Sequence, residues 1–312
     1  MRCAKFRAVL RATLISHSES YYSTRRLLEA GQRLGYVMSR VDPVRVHLRA
    51  AGGPGPSAPA VLEDGSDHAG PDVVVPRIGA TLQGWSLALL EAWLIRGARS
   101  ALAPSAIAHA GDKVLTTLRL TAAGLPVVPT VAIREPYHVD ATLDGLPADA
   151  WIMKSRTGTG GGGVALVHGR ASARSVLGAL TAQRETVLVQ PFIRTSPTRD
   201  LRVIVAGMEP LAAYWREAQE GEFRANVHRG GAAREATAAE LPAGALDLAL
   251  AAAAATGLPF AGIDLIETPD GLALLEVNAS PGFQGIEESS GRDLATPFLQ
   301  RWMAWPAAQR NL

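Results

Sequence analysis

The chain of 312 residues has a single cysteine, Cys3, so no disulfide can form within it. Chains without disulfides are typical of reducing compartments, and we expect this protein in the cytoplasm. No uninterrupted apolar run reaches about 18 residues, the length that a membrane-crossing helix needs, so no membrane span is expected. The basic start resembles a targeting segment, but Arg7 and Arg11 interrupt its apolar stretch, and we interpret it as a short extension. The formal net charge is only +2, which does not predict a surface for nucleic acids.

Lysine is also scarce. Of 31 basic residues only Lys5, Lys113 and Lys154 are lysines, which leaves 28 arginines. The lysine ammonium is a compact charge on a flexible stem, whereas arginine presents a planar fork. In a chain this rich in arginine, a remaining lysine indicates a position where the compact charge matters. The alternative is that the lysine has been kept by chance.

The first part of the chain predicts strands that alternate with helices. The runs R-A-T-L-I-S, S-T-R-R-L-L-E-A-G-Q-R-L-G and Y-V-M-S-R-V-D indicate a strand, a helix and a strand. Ser23 or Thr24 is the candidate N-cap of this helix, and Gly35 ends it. The apolar strand D-V-V-V-P-R-I-G then ends in Arg77, and a helix follows through W-S-L-A-L-L-E-A-W-L-I-R. This alternation predicts a parallel α/β sheet.

The hydrophobic content of 47% is enough for two or three subdomains. A boundary is expected near residue 104, where a second unit opens. Its first helix is predicted over Lys113–Ala123, with Asp112 as the cap and Gly124 as the end. A third unit begins after the strand E-T-V-L-V-Q. The predicted domains are residues 1–104, 105–189 and 190–312.

Two acids and an amide near the C-terminus, Asp264, Glu276 and Asn278, carry the most chemical information. They lie in A-G-I-D-L-I-E and L-A-L-L-E-V-N, which predict two strands joined by a Pro-Asp-Gly turn. A three-residue loop over 269–271, with Gly271 in the left-handed region, places Asp264 across from Glu276. Facing carboxylates destabilise a sheet, so we expect a positive charge beside them. Asn278 emerges on the same face, and such oxygen ligands suit magnesium bound to phosphate; the alternative is a pair of exposed acids at a sheet edge.

A glycine-rich loop follows Lys154. It contains Gly158 and then four consecutive glycines, Gly160, Gly161, Gly162 and Gly163. The loop lacks G-K-[ST] and joins two strands, so it is not a Walker A loop. Glycines permit close backbone approach, and the loop N–H groups can close over phosphates. A flexible hairpin tip gives the same pattern, but a lysine at the base of the loop favours a phosphate flap.

Several motifs together resemble those of the ATP-grasp ligases, and most closely the RimK-like branch, the enzymes that add glutamate to ribosomal protein S6. The motifs are Y-Y-S-T-R-R-L, V-P-R-I-G, V-L-V-Q-P-F-I, D-L-R, W-R-E-A-Q-E-G-E-F-R-A-N-V-H-R-G-G and E-V-N-A-S-P-G. They span nearly the whole chain apart from its N-terminal end and the 50–70 loop. The resemblance implies an ATP-grasp fold of α/β and α+β parts: a Rossmann-like pre-ATP-grasp domain, a central lid and a C-terminal ATP-grasp subdomain.

The resemblance also implies roles for individual residues. The implied metal ligands, for two Mg²⁺ or Mn²⁺ ions, are Asp264, Glu276 and Asn278. The implied ATP-binding residues are Lys113, Lys154, Gly160, Gly161, Gly162, Gly163, Gln190, Pro191, Phe192, Asp200, Arg224, Ala225 and Asn226. Among them Lys154, Arg224 and Asn226 are the implied catalytic residues. The implied substrate-binding residues are Arg77, Arg216, His228, Arg229 and Ser280. Taken alone, a lysine in the position of Lys113 is usually only a solvated helix end. For His228, packing within the loop is favoured over a role as an acid or base.

The adenine hinge departs from the family pattern, in which an acid follows the glutamine. Pro191 takes that position here. Proline removes both the carboxylate and a backbone donor. Adenine is then expected to rely on the Gln190 carbonyl, the Phe192 N–H and apolar packing.

The reaction that the resemblance implies is ATP-dependent ligation of a carboxylate to an amine through an acylphosphate. L-glutamate is the expected amine, with another amino acid as the alternative. The expected acceptor is a protein or peptide C-terminus such as that of S6, or else a carrier protein or a small acid. Relatives commonly self-associate, so a homo-oligomer is an expectation by analogy.

Two other functions stay open on the same fold. A non-catalytic ATP-binding regulatory protein is one, although the complete set of Asp264, Glu276 and Asn278 argues against it, because binding alone tolerates the loss of one ligand. A kinase that phosphorylates a hydroxyl is the other, and the match at A-S-P-G-F-Q-G-I-E argues against it.

Overall fold

The computed structural model describes residues 9–50, 58–79, 82–158, 162–225 and 231–308, which form two compact units. The first unit runs to Ser105 and also contains Gly282–Gln284 and the segment that starts at Asp293. The second contains Ala106–Pro281 and Gly285–Arg292. The three-domain division stays a prediction. Within the described residues, every helix is too short or too polar to cross a membrane.

The first unit is built on a parallel sheet. Its central strand β1 (Arg11–Ile15) pairs in parallel with β2 (Val37–Val41) on one side and β6 (Val73–Pro76) on the other. A smaller antiparallel sheet consists of β3 (Val46–Arg49), β4 (Ala60–Glu63) and β5 (Ser66–Asp67). The helices are α1 (Tyr22–Arg33), α2 (Gln83–Ile95) and α9 (Ala295–Ala304). The predicted parallel α/β sheet is confirmed.

Helix α1 begins earlier than its predicted cap. Its N-cap is Tyr21, and both Ser23 and Thr24 lie inside the first turn and are buried. The Ser23 hydroxyl accepts a hydrogen bond from the Phe283 N–H at 3.0 Å, and the Thr24 and Ser16 hydroxyls bond at 2.8 Å. The N-cap prediction is therefore wrong, because these hydroxyls make contacts with other segments instead of capping the helix.

The second unit contains two antiparallel sheets. The four-stranded sheet has the order β7 (Val131–Ile133), β10 (Val187–Pro191), β8 (Ala150–Ser155), β9 (Val164–His168). The five-stranded sheet has the order β13 (Ala232–Glu235), β12 (Glu209–Glu217), β11 (Arg199–Ala206), β14 (Phe260–Thr268), β15 (Gly271–Asn278). The helices between residues 104 and 290 are α3 (Pro104–Ala110), α4 (Lys113–Ala122), α5 (Val139–Gly145), α6 (Arg170–Ala182), α7 (Ala245–Thr256) and α8 (Gln284–Ser290).

The predicted ends of α1 and α4 are confirmed. The Asp112 carboxylate caps α4 by accepting from two N–H groups of its first turn, at 3.0 and 3.2 Å. The helix ends at Ala122, one residue before the predicted end, and Gly124 follows with φ +71°. Gly35 follows α1 with φ +79°. Glycine adopts positive φ without steric cost, so both ends are encoded locally.

Alternation along β8 and β10 gives the four-stranded sheet two different faces. Trp151, Met153 and Val189 are buried on one face, in a core that α5 and α6 complete. Lys154 and Gln190 lie at the alternate positions, so they emerge on the opposite face. This second face is the one that carries the candidate functional groups.

The β14–β15 hairpin differs from prediction at its turn. Thr268 pairs with Gly271, so the loop has two residues rather than three, although Gly271 has the positive φ expected, +117°. A bulge between Asp264 and Leu265 shifts the register, and Asp264 still pairs with Glu276 as predicted. The extra residue of the bulge offsets the shorter loop, which is why the facing pair survives.

Candidate active site

Residues from both sheets of the second unit line one cavity of about 140 Å³. Its polar groups come from the first turn of α4, from β8, β10, β11, β12, β14 and β15, and from the loops after β10 and β12. Ile152, Ile266 and Leu275 supply apolar surface. Sites for small molecules typically combine apolar walls with a few convergent polar groups.

Two of the three lysines line this cavity. Lys113 is the first residue of α4, and its Nζ donates to the Gly158 carbonyl at 2.6 Å and lies 3.7 Å from Glu276 Oε1. Lys154 lies on β8. Burial lowers the pKa of Lys154, although the nearby Glu276 carboxylate acts in the opposite direction. The structure thus brings together the two lysines that the sequence analysis selects.

The positive charge expected beside Asp264 and Glu276 comes from the protein's own side chains. Arg202 donates two hydrogen bonds of 2.6 Å to the Asp264 carboxylate, and Arg216 adds one of 2.8 Å. Lys113 is the cation next to Glu276. Each of the two facing carboxylates therefore has its own cationic neighbour.

Arg216 joins Asp264 to Asp200. Its Nε and Nη2 donate to the two Asp200 oxygens at 2.6 and 2.7 Å. Burial raises the pKa of Asp200 despite the opposing effect of Arg216. Burial acts in the same direction on Asp264, but Arg202 and Arg216 outweigh it and lower the Asp264 pKa. We call these four alternating charges, Asp200, Arg216, Asp264 and Arg202, the buried charge network.

The buried charge network bears on two predicted roles. The family resemblance implies that Asp200 binds the nucleotide and Arg216 binds the substrate. Both side chains line the cavity, but they donate and accept their hydrogen bonds within the network. Both roles stay predictions. A bound nucleotide or substrate must either displace the Arg216–Asp200 pair or make additional hydrogen bonds to it.

The donor set fits a magnesium ion. Among the described residues, no three carboxylate, imidazole or thiol groups come together, and the candidate set is two carboxylates and an amide. A carboxylate has about four lone-pair sites, of which Asp264 uses three for hydrogen bonds. Glu276 is half-exposed, and Asn278 Oδ1 accepts one bond from the Ser280 N–H at 2.8 Å. Oxygens with lone pairs to spare are the ligands that magnesium prefers.

The adenine hinge differs from prediction in its backbone contacts. The Phe192 N–H donates to the Ala150 carbonyl at 2.9 Å, which extends the β8–β10 ladder. The expectation that this N–H holds adenine is therefore wrong. Peptide groups alternate in direction along a strand, so the Gln190 carbonyl also faces β8, whereas the Pro191 carbonyl and the Ile193 N–H point away from it.

Arg224 lies in the loop after β12 with a carboxylate already on its guanidinium. Its Nη2 donates to one Glu222 oxygen at 2.8 Å and its Nε to the other at 3.1 Å. The side-chain hydrogen bond from Arg224 lowers the pKa of Glu222 to about 2. Arg224 and Ala225 both line the cavity, and Ala225 is buried.

The glycine loop packs tightly against Ser155 at its C-terminal end. Gly163 has φ +70°, and a Cβ at this position would collide with the Ser155 hydroxyl. The Ser155 N–H donates to the Gly163 carbonyl at 2.9 Å. Gly158 and Gly162 line the cavity. The close approach explains why the loop requires glycine at residue 163.

Five predicted site residues lie outside the described residues: Gly160, Gly161, Asn226, His228 and Arg229. Arg77 belongs to the first unit, where it follows β6. Its guanidinium lies 5.6 Å from the centre of the Phe283 ring, and burial lowers its pKa to about 10.

The structure adds three polar residues that bind predicted site residues. Arg202 binds Asp264, Glu222 binds Arg224, and Thr130 binds Gln190 at 2.8 Å. The motifs D-L-R and E-G-E-F-R signal the first two through their closeness to selected residues. Thr130 has no such signal in the sequence.

Two family models together cover most of the chain. The RimK PreATP-grasp domain matches residues 10–107, and the RimK-like ATP-grasp domain matches residues 110–302. The chain belongs to the RimK-like ATP-grasp family. A probable alpha-L-glutamate ligase of Thioalkalivibrio sulfidiphilus is 34% identical over 286 residues, 92% of this chain and 93% of that protein. A protein of the same name from Xanthomonas oryzae pv. oryzae is 35% identical over 291 residues, 93% and 96% of the two chains.

Solved structures of ATP-grasp proteins are similar to this chain over nearly its whole length. An ATP-grasp RimK domain protein of Sphaerobacter thermophilus has a TM-score of 0.70 at 21% identity, covering 94% of this chain and 99% of that one. The ATP-grasp ligase PsnB, complexed with a minimal precursor, has a TM-score of 0.71 at 21% identity, covering 95% and 98%. At this identity the likeness concerns the fold, and the predicted ATP-grasp fold is confirmed.

Proposed function

We propose that the protein is an ATP-dependent carboxylate–amine ligase that adds L-glutamate to the C-terminal carboxylate of a protein or peptide. The observation that carries this proposal is the meeting of Lys113, Lys154, Asp264 and Glu276 at one cavity of a RimK-like ATP-grasp chain. Relatives at 34% and 35% identity that are named probable alpha-L-glutamate ligases support glutamate as the amine.

ATP would lie in the cavity with its base at the hinge. The Pro191 carbonyl would accept from the adenine amine, and the Ile193 N–H would donate to a ring nitrogen. The two faces of the base would pack against Ile152, Ile266 and Leu275. This packing buries apolar surface and needs no further hydrogen bonds. The triphosphate then extends toward the two lysines.

The lysines would hold the phosphates as paired cations. Burial lowers the pKa of Lys154, and a triphosphate placed beside it would favour the charged form again, because opposite charges raise the pKa of a lysine. Arg224 would contribute once the triphosphate replaces Glu222 on its guanidinium. These groups offset the negative charge that builds up on the phosphoryl oxygens.

Asp264, Glu276 and Asn278 would hold Mg²⁺, and we propose two ions. When bound, Mg²⁺ neutralises charge on the transferring phosphoryl group. A structure of PsnB complexed with a minimal precursor, Mg and ADP supports magnesium as the ion for this fold. Arg202 and Arg216 would keep the Asp264 carboxylate fixed, so that the ligand geometry is set before the ion arrives.

The reaction would take place in two steps. An oxygen of the acceptor carboxylate attacks the γ-phosphorus, ADP leaves, and an acylphosphate forms. The glutamate amine then attacks the acyl carbon, phosphate leaves, and the nitrogen loses a proton as the amide forms. The protein forms no covalent bond to substrate, so its contribution is position and charge.

A peptide or protein C-terminus is the acceptor that we propose. PsnB complexed with the precursor peptide PsnA2 and the macrocyclase MdnC bound with the precursor peptide MdnA share this fold. They support a peptide acceptor in general, and the S6 C-terminus is the specific candidate. A carrier protein or a small acid is the alternative.

The test is ADP release by the purified protein with Mg-ATP. The common amino acids are screened singly and paired with peptides that end in glutamate, and products are analysed by mass. We expect release that depends on glutamate and a product heavier by one glutamyl residue. Glu276→Gln should abolish release, whereas Glu240→Gln, an exposed acid paired with Arg234, is the matched control and should not.

Other outcomes discriminate among the functions. Release with a different amino acid would keep the ligase and discard glutamate. A stable phosphorylated product would indicate a kinase instead. ATP binding without ADP formation under every acceptor would contradict catalysis and favour a regulatory ATP-binding protein.

A further inference from the structure

Thr130 lies where the chain passes from one sheet of the second unit to the other. Just before it, the Val128 N–H donates to the Leu274 carbonyl of β15 at 3.2 Å. Strand β7 begins directly after Thr130 and pairs with β10. The side chain lines a small void of about 20 Å³ next to Gln190 and Lys154. Thr130 is therefore adjacent to the nucleotide cavity.

The directions of the two hydrogen bonds of the Thr130 hydroxyl follow from simple proton counting. The Val128 carbonyl can only accept, so Thr130 Oγ1 donates its single proton there, at 2.7 Å. The hydroxyl then has only lone pairs left for Gln190, 2.8 Å away. Only the NH₂ end of the Gln190 amide can satisfy them, so this end points at Thr130 and the carbonyl oxygen points elsewhere.

Gln190 lines the cavity immediately before the hinge residues Pro191, Phe192 and Ile193, and it is only 5% exposed. With its NH₂ end held by Thr130, the acceptor end of the amide is the one left for a base in the cavity. Adenine carries an amine donor at the position where guanine carries a carbonyl acceptor. A guanine carbonyl that faces the Gln190 carbonyl oxygen would leave two buried acceptors without a donor, which weakens the binding of guanine nucleotides.

We propose that Thr130 sets the preference for adenine over guanine nucleotides by holding the Gln190 amide with its carbonyl oxygen toward the base. The inference rests on the proposed use of ATP. Thr130 does not touch the nucleotide; it is a positioning residue that acts through Gln190. Its effect is therefore on the choice of base rather than on the affinity for phosphates.

The test compares dissociation constants for Mg-ATP and Mg-GTP by titration calorimetry. Thr130→Val removes the hydroxyl while keeping the branched shape, so the Gln190 amide can turn. The ratio of the GTP constant to the ATP constant should fall by about tenfold, the effect of one misdirected buried hydrogen bond. Thr130→Ser keeps the hydroxyl and should retain the wild-type ratio. Thr130→Ala replaces valine if the valine variant does not fold.

A double-mutant cycle with Gln190→Met separates this role from a general packing role. If Thr130 acts through Gln190, Thr130→Val should leave the ratio unchanged in the Gln190→Met background. The proposal is overturned by a wild-type ratio in Thr130→Val, by an equal shift in both backgrounds, or by a wild-type protein that binds both nucleotides equally. A wild-type protein that binds neither nucleotide overturns the proposed function as well, whereas ATP preference that survives Thr130→Val overturns this inference alone.

Discussion

Substituting Arg216 by methionine tests whether the buried charge network depends on this arginine. The guanidinium makes three hydrogen bonds of 2.6 to 2.8 Å, two to Asp200 and one to Asp264. The Arg216 and Asp264 side chains are only 5% and 4% exposed, so water compensates poorly for the loss of these bonds. Breaking a buried ion pair on one side costs about 3–5 kcal/mol. We expect the free energy of unfolding to fall by this amount in Arg216→Met at neutral pH.

Two further variants show where the loss arises. Asp264 keeps Arg202 in Arg216→Met, but Asp200 loses both of its hydrogen bonds from Arg216. The double variant Asp200→Asn, Arg216→Met removes that uncompensated charge and should recover about 1–3 kcal/mol. Arg234→Met is the matched control in the same unit, because its partner Glu240 is exposed, and an exposed pair contributes about 1 kcal/mol or less.

The pH dependence of the loss has a defined sign. Burial already raises the pKa of Asp200, and loss of Arg216 should raise it further. An acid whose pKa is raised on folding favours the folded state at low pH, and this contribution is lost as pH rises through the folded-state pKa. The penalty of Arg216→Met should therefore be larger at pH 8 than at pH 5.

The free energy of unfolding is measured by urea denaturation monitored by circular dichroism. A loss in Arg216→Met no greater than in Arg234→Met would refute the reasoning. So would a double variant as unstable as Arg216→Met alone, because the cost would then not come from the unpaired Asp200.

Four other variants separate binding from stability. Lys154→Met should abolish turnover yet raise the thermal stability of the ATP-free protein, because burial disfavours the lysine charge and lowers its pKa. The gain should shrink as pH rises from the lowered folded-state pKa toward the free-lysine pKa of about 10.4, above which the lysine is neutral in both states. A lower Tm near pH 7 would contradict this prediction. Asp264→Asn should abolish turnover and also lower the Tm, because the Asp264 carboxylate binds two arginines. Glu276→Gln should abolish turnover at a nearly unchanged Tm, because Glu276 is half-exposed. Equal Tm values for the two variants would contradict a stabilising role of the buried charge network. Glu222→Ala should lower the Kd for ATP several-fold in calorimetry by releasing Arg224; weaker binding would show instead that Glu222 orients Arg224.

The amino-acid sequence by itself determined the features that depend on near neighbours. Asp112 caps α4 because its carboxylate reaches N–H groups two and three residues ahead, and Gly35 and Gly124 end helices because they tolerate positive φ. The hairpin of β14 and β15 was also predicted, although the pairing of Asp264 with Glu276 survives only because a bulge offsets a loop one residue shorter than predicted. Spacing along the chain is enough for such inferences, because the interacting groups are tied together by few bonds.

Only the tertiary structure decided which partners the polar groups take across the chain. Ser23 binds a backbone N–H 260 residues away instead of capping its helix, and the Phe192 N–H is used by β8. Arg216 faces two carboxylates from other strands, and Thr130 holds Gln190 across 60 residues. A buried hydrogen-bonding group must find a partner wherever packing places one, and packing depends on the whole chain. The residues that carry charge could therefore be identified from the sequence, while the contacts that hold them could not.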